Sequence, residues 1–422
     1  MNYNNQPNSY SIYKLIKDLS WIDKLLPLII ILTMILGTIL SIYVPNSRLI
    51  FDSNVKLVGV SIPLALGMII MMIPPLCKIE WESLYKILTN KKIYTQLLIS
   101  FVLNWLICPF IMVGLSWMVF HKNGIYNEND EEYRIGIIMI GIARCIAMVI
   151  IWNELSYGDN TLCITIVIFN SILQMILYAP YQILLCYKIS NYNQSIDNSI
   201  NLLNLQIKTV FQNVGIFLGI PMGLGILIRL IFIKILNNPQ FYNDKFLSII
   251  SPLSLIGLIY TILIIFITRG NEFIKNIDDA IKCFIPLILY FIIVWFGTFL
   301  TMRFLSNRLN KPNNDEFQEP LLHHCGCEKN NDINNPKSLS LNSWLCSAKY
   351  GETITQTFTA ASNNFELSLS IAISIYGSGS KQSIAATFGP LLEVPILLIL
   401  TLVARYSRYK LLWNDEKVKV DG

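Results

Sequence analysis

Apolar residues fall into ten long blocks along this chain, separated by short polar or charged stretches. The blocks cover residues 24–44, 55–76, 93–120, 135–152, 161–187, 205–235, 246–268, 280–305, 353–376 and 383–406. Each is about the 20 residues that a helix needs to cross the hydrocarbon layer. Three carry irregularities. The second contains Pro63 and is expected to end at Pro74-Pro75. The sixth is expected to break in its middle at Gly219-Ile220-Pro221-Met222-Gly223-Leu224-Gly225. The ninth is polar enough that hydropathy alone passes over it.

Composition agrees with this pattern. The chain has 422 residues, of which 54% are hydrophobic and only 14% charged, with mean hydropathy +0.52. A soluble domain carries roughly a quarter charged residues, so the fold class is an all-α polytopic membrane protein. The net charge of +5 implies no nucleic-acid partner, because the basic residues lie between the apolar blocks. Residues 1–23 hold no apolar core of the cleaved-signal type, so the first block is expected to remain as a span. The nine cysteines show no paired spacing and imply no disulfide framework.

Charge decides the ninth block. With ten spans and both termini cytoplasmic, the inner segments hold 21 Lys and Arg and the outer loops 10, leaving Arg144 within a span. This is the expected inward bias. Demoting the ninth block to a loop would place Arg405, Arg408, Lys410, Lys417 and Lys419 outside. Ten spans divide into five and five, and an odd number per half gives the halves opposite topology, an inverted repeat. The predicted organisation is a tail (1–23), a first five-helix repeat (24–187), a second (205–407) containing a flexible cytoplasmic insertion (306–346), and a C-terminal tail (408–422).

In that pairing the fourth span corresponds to the ninth, and both are interrupted by polar residues. The fourth holds Gly141-Ile142-Ala143-Arg144-Cys145-Ile146-Ala147-Met148-Val149, and the ninth holds Ser362-Asn363-Asn364-Phe365-Glu366. Matched interruptions in two halves point to a midplane site built from discontinuous, crossing helices. Arg144 is expected either to act on a substrate and activate the neighbouring thiol or to pin carbonyls freed by a helix break. Cys145 is the softest ligand available, while Cys108, Cys163, Cys186 and Cys283 read as packing. Glu366 is expected to carry a proton or bind an ion, its bland alternative being a salt bridge to Arg144. Asn363 and Asn364 either donate to a polyhydroxylated substrate or satisfy unwound backbone. Glu393, between Pro390 and Pro395, serves a kink or a function, and Asn104 and Asn170 read as interhelical glue.

The insertion contains His323-His324-Cys325-Gly326-Cys327, whose four soft ligands are weak candidates for a metal site, since adjacent ligands rarely close one tetrahedron. No phosphate-binding glycine loop occurs, so no built-in ATPase is implied. No cofactor is expected, and no placed nucleophile with its base suggests an enzyme.

Five blocks resemble the arsenical-resistance arsenite efflux permeases, in the superfamily that also holds the bile acid:sodium symporters. They are Gly67-Met68 through Pro74-Pro75-Leu76 with Glu80; Asn104-Trp105 through Pro109-Phe110; Ala143 to Val149 with Trp152-Asn153 and Gly158-Asp159; Thr357 to Leu367; and Gly389 to Pro395. The resemblance covers most of residues 25–305 and 350–407. It implies ten spans with cytoplasmic termini and extrusion of arsenite, sometimes antimonite, by proton antiport, with no ATPase subunit required. The plasma membrane is the expected location, the vacuolar membrane the alternative. It also implies an essential thiol at Cys145 and an important carboxylate at Glu366. The rival readings are a sodium-coupled organic-anion symporter of the bile acid type and a sensor that binds metal through Cys325 and Cys327.

Overall fold

The computed structural model describes residues 21–44, 46–52, 55–79, 81, 91–120, 128–146, 148–190, 208–275, 277–309, 348–377, 380–411 and 413. Helix occupies each of the ten apolar blocks. Among the described residues six helices are long and apolar enough to cross a membrane: Ile93–Phe120, Asn160–Ile189, Lys208–Ile235, Phe241–Asn271, Ile281–Leu305 and Lys381–Lys410. The protein is an all-α polytopic membrane protein. The histidine and cysteine cluster 323–327 and the rest of residues 310–346 of the insertion lie outside the described residues, as do residues 1–20 of the N-terminal tail and residues 412 and 414–422 of the C-terminal one; residues 306–309 are helical, where the insertion is expected to begin.

In chain order, α1 (Trp21–Tyr43) and the short α2 (Ser47–Phe51) lead into a two-stranded hairpin, β1 (Lys56–Leu57) and β2 (Val60–Ser61). Next come α3 (Ile62–Lys78), α4 (Lys91–Phe101), α5 (Cys108–Phe120), α6 (Glu128–Ile142), α7 (Met148–Leu155) and α8 (Asn160–Gln182). The second half holds α9 (Ile220–Leu230), α10 (Leu247–Lys275), α11 (Ile277–Leu309), α12 (Tyr350–Ala361), α13 (Phe365–Tyr376) and α14 (Lys381–Lys410).

Two expected boundaries move. The second block does not begin its helix at residue 55: residues 55–61 form the hairpin, and α3 starts at Ile62 with Pro63 in its first turn, where proline's missing N–H costs nothing. Pro74 and Pro75 lie inside the end of α3 rather than stopping it. The sixth block is not broken at its glycine and proline run. Pro221 lies inside one helical run, and the wider-turn segment Gly215–Gly219 just before it lets the helical path continue through Ile235.

Helices approach closely where small residues face a neighbour, the usual device for packing within lipid. Gly37 of α1 lies against Phe266 of α10, Gly257 of α10 against Met71 of α3, and Gly136 of α6 against the Gln382 backbone and Ala385 of α14. Large apolar side chains on the outer faces, such as Leu32, Leu36, Ile249 and Ile256, are exposed, as lipid contact requires. At one end of the bundle Arg405 and Arg408 of α14 stack over Tyr157 at 4.7 and 4.9 Å, and Arg303 of α11 lies 4.5 Å from the Trp413 ring centroid.

Candidate functional site

The fourth and ninth segments are each two half-helices. α6 ends at Ile142 and α7 begins at Met148, while α12 ends at Ala361 and α13 begins at Phe365. The unwound stretches cross and pair. Arg144 and Asn363 form an antiparallel bridge, and the Asn364 N–H donates to the Ala143 carbonyl at 3.1 Å. Backbone groups that leave a helix inside a membrane must find partners within the protein, and here each break supplies them to the other. Gln174 of α8 accepts from the Arg144 backbone N–H, and Tyr178 and Ser368 both donate to the Met139 carbonyl at 3.1 Å.

Four half-helix ends therefore meet, two negative and two positive by the helix dipole. Arg144, fully buried, serves the negative pair. Its guanidinium donates to the Gly141 carbonyl, penultimate in α6, and to the Ala360 carbonyl, penultimate in α12, at 3.4 Å. It also donates to the Tyr290 hydroxyl of α11 at 3.3 Å. Of the two readings of Arg144, this geometry matches the pin.

The expected pairing of Arg144 with the Cys145 thiol is not what the structure shows. The unwound backbone is extended, so consecutive side chains point to opposite sides. The guanidinium lies beside Cys108 of α5 and Tyr290 instead, and the Cys108 thiol also reaches the Ala360 carbonyl at 3.6 Å. Cys108, read from sequence as packing, belongs to the arginine's shell. No ion pair joins Arg144 to Glu366 among the described residues.

The positive ends face the other way. Cys145, 5% exposed, has its sulfur beside the backbone N–H groups of Met148 and Val149 at the start of α7, and it lies within electrostatic range of Glu366 and Glu393. Asn364 caps α13 by accepting from the Leu367 N–H at 3.0 Å, and Glu366 sits in that helix's first turn, where a carboxylate complements the dipole. Glu366 is half-buried and looks into a cavity lined by α1, α10, α13 and α14. Glu393 of α14 is buried beside Ser362, the Asn363 N–H and Glu366, with one carboxylate oxygen unpartnered. Its prolines gave no sign of this; only the crossing brings it to the site.

The asparagine oxygens are engaged and their amide nitrogens are not. Tyr290 donates to Asn363 Oδ1 at 3.4 Å and Leu367 to Asn364 Oδ1, whereas Nδ2 of both side chains is buried without a partner. Unsatisfied buried donors of this sort are rare and invite a ligand oxygen. Asn104 and Asn170 stay apart from the site: Asn170 accepts from Trp105 at 3.1 Å and Asn104 donates to Ser100 at 2.9 Å.

Residues 65–276 match the family described as the Sodium Bile acid symporter family. The chain is 30% identical over 401 residues to the arsenical-resistance protein Acr3 of Corynebacterium glutamicum, covering 94% of this chain and 92% of that protein. It is 24% identical over 353 residues to the protein of the same name from Alkaliphilus metalliredigens, covering 83% of each. An uncharacterized transporter of Synechocystis sp. is 24% identical over 411 residues, 94% of this chain and 92% of its own.

Proposed function

The chain belongs to the arsenical-resistance transporters within the Sodium Bile acid symporter family, and we propose that it extrudes arsenite from the cytoplasm by proton antiport. The observation that carries this reading is the placement of one thiol, Cys145, at the positive end of a half-helix within electrostatic range of two carboxylates. Trivalent arsenic is thiophilic and, as the trihydroxide, uncharged at neutral pH. A soft sulfur ligand captures it where a charged cage would not.

The bond-making step is neutral. The Cys145 sulfur forms a bond to arsenic, one hydroxide leaves arsenic and takes the thiol proton, and water departs. Hydrolysis on the far side reverses each change and returns arsenite and thiol. One As–S bond holds more weakly than two or three, which suits a carrier that must let go. The free amide N–H of Asn364 donates to a remaining hydroxyl oxygen, while Asn363, whose Oδ1 accepts from Tyr290, stays on the Arg144 side. Glu366, with Glu393 near it, is the carboxylate that exchanges a proton against the substrate. Arg144 positions the crossing by holding two half-helix ends.

The two five-helix halves then rock about the crossing to alternate access, with both termini cytoplasmic and the plasma membrane as the site of action. Antimonite shares the chemistry and is a second cargo. Everted vesicles test the scheme: ATP-independent arsenite accumulation is expected to require an imposed pH gradient and to vanish in Cys145→Ser and Glu366→Gln. Accumulation that persists in Cys145→Ser, or that ignores collapse of the gradient, overturns it. Sodium-dependent uptake of an organic anion would instead identify a bile acid type of symporter.

A further inference from the structure

A second cavity lies between the α1–α3 connection and the far ends of α10, α13 and α14, away from the Arg405 and Arg408 end. It shares Ile265, Leu369 and Thr387 with the cavity into which Glu366 looks. The two are consecutive chambers along one seam. Their chemistry differs. The Glu366 chamber is almost wholly apolar, whereas the second is edged by Asp52, Ser61, Thr268, Arg269, Ser383 and Thr387.

The hydroxyls are presented in a particular way. Thr268 donates to the Ile264 and Ile265 carbonyls, Thr387 to Ile384 and Ser383 to Gly377. Each spends its proton on backbone and leaves lone pairs for a solute, and Asp52 adds a carboxylate acceptor. Among the described residues no sulfur lines the chamber. A hard-oxygen, acceptor-rich pocket suits a neutral solute that carries several O–H donors, and it offers no soft ligand to retain it.

The hairpin closes this chamber. At its base Asp52 pairs with Arg269 of α10 at 3.3 Å and with Lys56 at 3.8 Å. At its tip Val58 and Gly59 adopt φ of 47° and 81°, and Ser374 of α13 donates to the Val58 carbonyl. A Cβ on Gly59 would come within 2.9 Å of the Ser374 backbone. A β-branched residue in the left-handed region is a strained conformation, held only while its surroundings enforce it. The strap thus spans from α10 to α13.

We propose that this chamber is the release vestibule for the neutral polyhydroxylated cargo, and that the Asp52–Arg269 clasp is its outer gate. The inference rests on the arsenite reading above. Arsenite leaving the Cys145 thiol passes through the Glu366 chamber, exchanges sulfur for oxygen partners, and escapes when the clasp parts.

The test places a thiol in the chamber of the full-length protein. Thr387→Cys is expected to react with a membrane-impermeant maleimide applied to intact cells well above the level of the native protein, whose described cysteines are all buried. Adding Asp52→Asn should speed labelling several-fold. In purified Cys145→Ser/Thr387→Cys, equilibrium dialysis against arsenite should recover the arsenic binding lost in Cys145→Ser. Ser383→Cys serves in the same way if Thr387→Cys fails to fold. Absence of labelling, labelling indifferent to Asp52→Asn, or labelling without recovered arsenic binding each overturns the vestibule. Labelling does not depend on the cargo's identity, so transport that survives Cys145→Ser sinks the functional reading separately.

Discussion

Arg144→Met separates a cation that holds the crossing together from one that touches cargo. Methionine keeps most of the stem and removes the guanidinium. What is stranded can be read directly: the Gly141 carbonyl, buried near the negative end of α6, whereas the Ala360 carbonyl keeps the Tyr290 hydroxyl at 3.4 Å and the Cys108 thiol at 3.6 Å. A buried acceptor left unpaired costs roughly 1–3 kcal/mol. Relief of the guanidinium's own desolvation offsets part of this, leaving a net loss on the order of 1–2 kcal/mol. The damage centres on the end of α6. Thermal unfolding of the purified protein in detergent, followed by tryptophan fluorescence, is expected to show a lower midpoint for Arg144→Met. Arsenite accumulation per folded molecule should fall with it. Arg144→Lys, whose point charge reaches fewer acceptors, should recover part of both. A variant as stable as the native protein but inactive would refute the pinning argument and place Arg144 on the substrate.

Gly389→Ala drives a Cβ into the Phe365 ring, the residue between Asn364 and Glu366, so overpacking of about 1–3 kcal/mol should appear as a lower unfolding midpoint and lost transport. Asn364→Ala removes the α13 cap and should cost about 1 kcal/mol of stability; Asn364→Ser, which also caps, should regain the stability but not the amide N–H, so transport stays low in vesicles. Cys108→Ser keeps a donor for the Ala360 carbonyl and should transport arsenite at near native rate, in contrast to Cys145→Ser. Deletion of residues 310–340 should leave growth on arsenite intact in a host lacking its own efflux system, whereas a sensor would lose its response.

Much of this was legible in the amino-acid pattern. The ten helical blocks follow from apolar run length, and the two broken helices follow from Arg144 and from Asn363, Asn364 and Glu366 in otherwise apolar surroundings. What escaped it was direction. Adjacent residues on a helix share a neighbourhood, so Arg144 beside Cys145 looks like a cation–thiol pair. In the extended backbone of a crossing they face opposite sides. Glu393 escaped for a related reason: it lies 27 positions beyond Glu366 in the chain and is brought to it by the packing of α13 on α14. The glycine and proline run at 219–225 misled because the wider turn at Gly215–Gly219 accommodates the missing N–H of Pro221 within a continuous helix, a feature that composition alone does not fix.

The crossing sorts charge before any cargo arrives. Two negative half-helix ends share one arginine, and two positive ends face a thiol and a carboxylate. Had Arg144 faced Cys145, the site would present a fixed cation to every ligand and favour anions, the cargo of an organic-anion carrier. By spending its donors on Gly141 and Ala360, Arg144 leaves the opposite side with backbone N–H groups, the Asn364 amide N–H and a sulfur. That side offers donors to oxygen and a soft ligand with no full positive charge. Under the proposed function, selection of a neutral metalloid over an organic anion would rest on which way one side chain turns at residue 144.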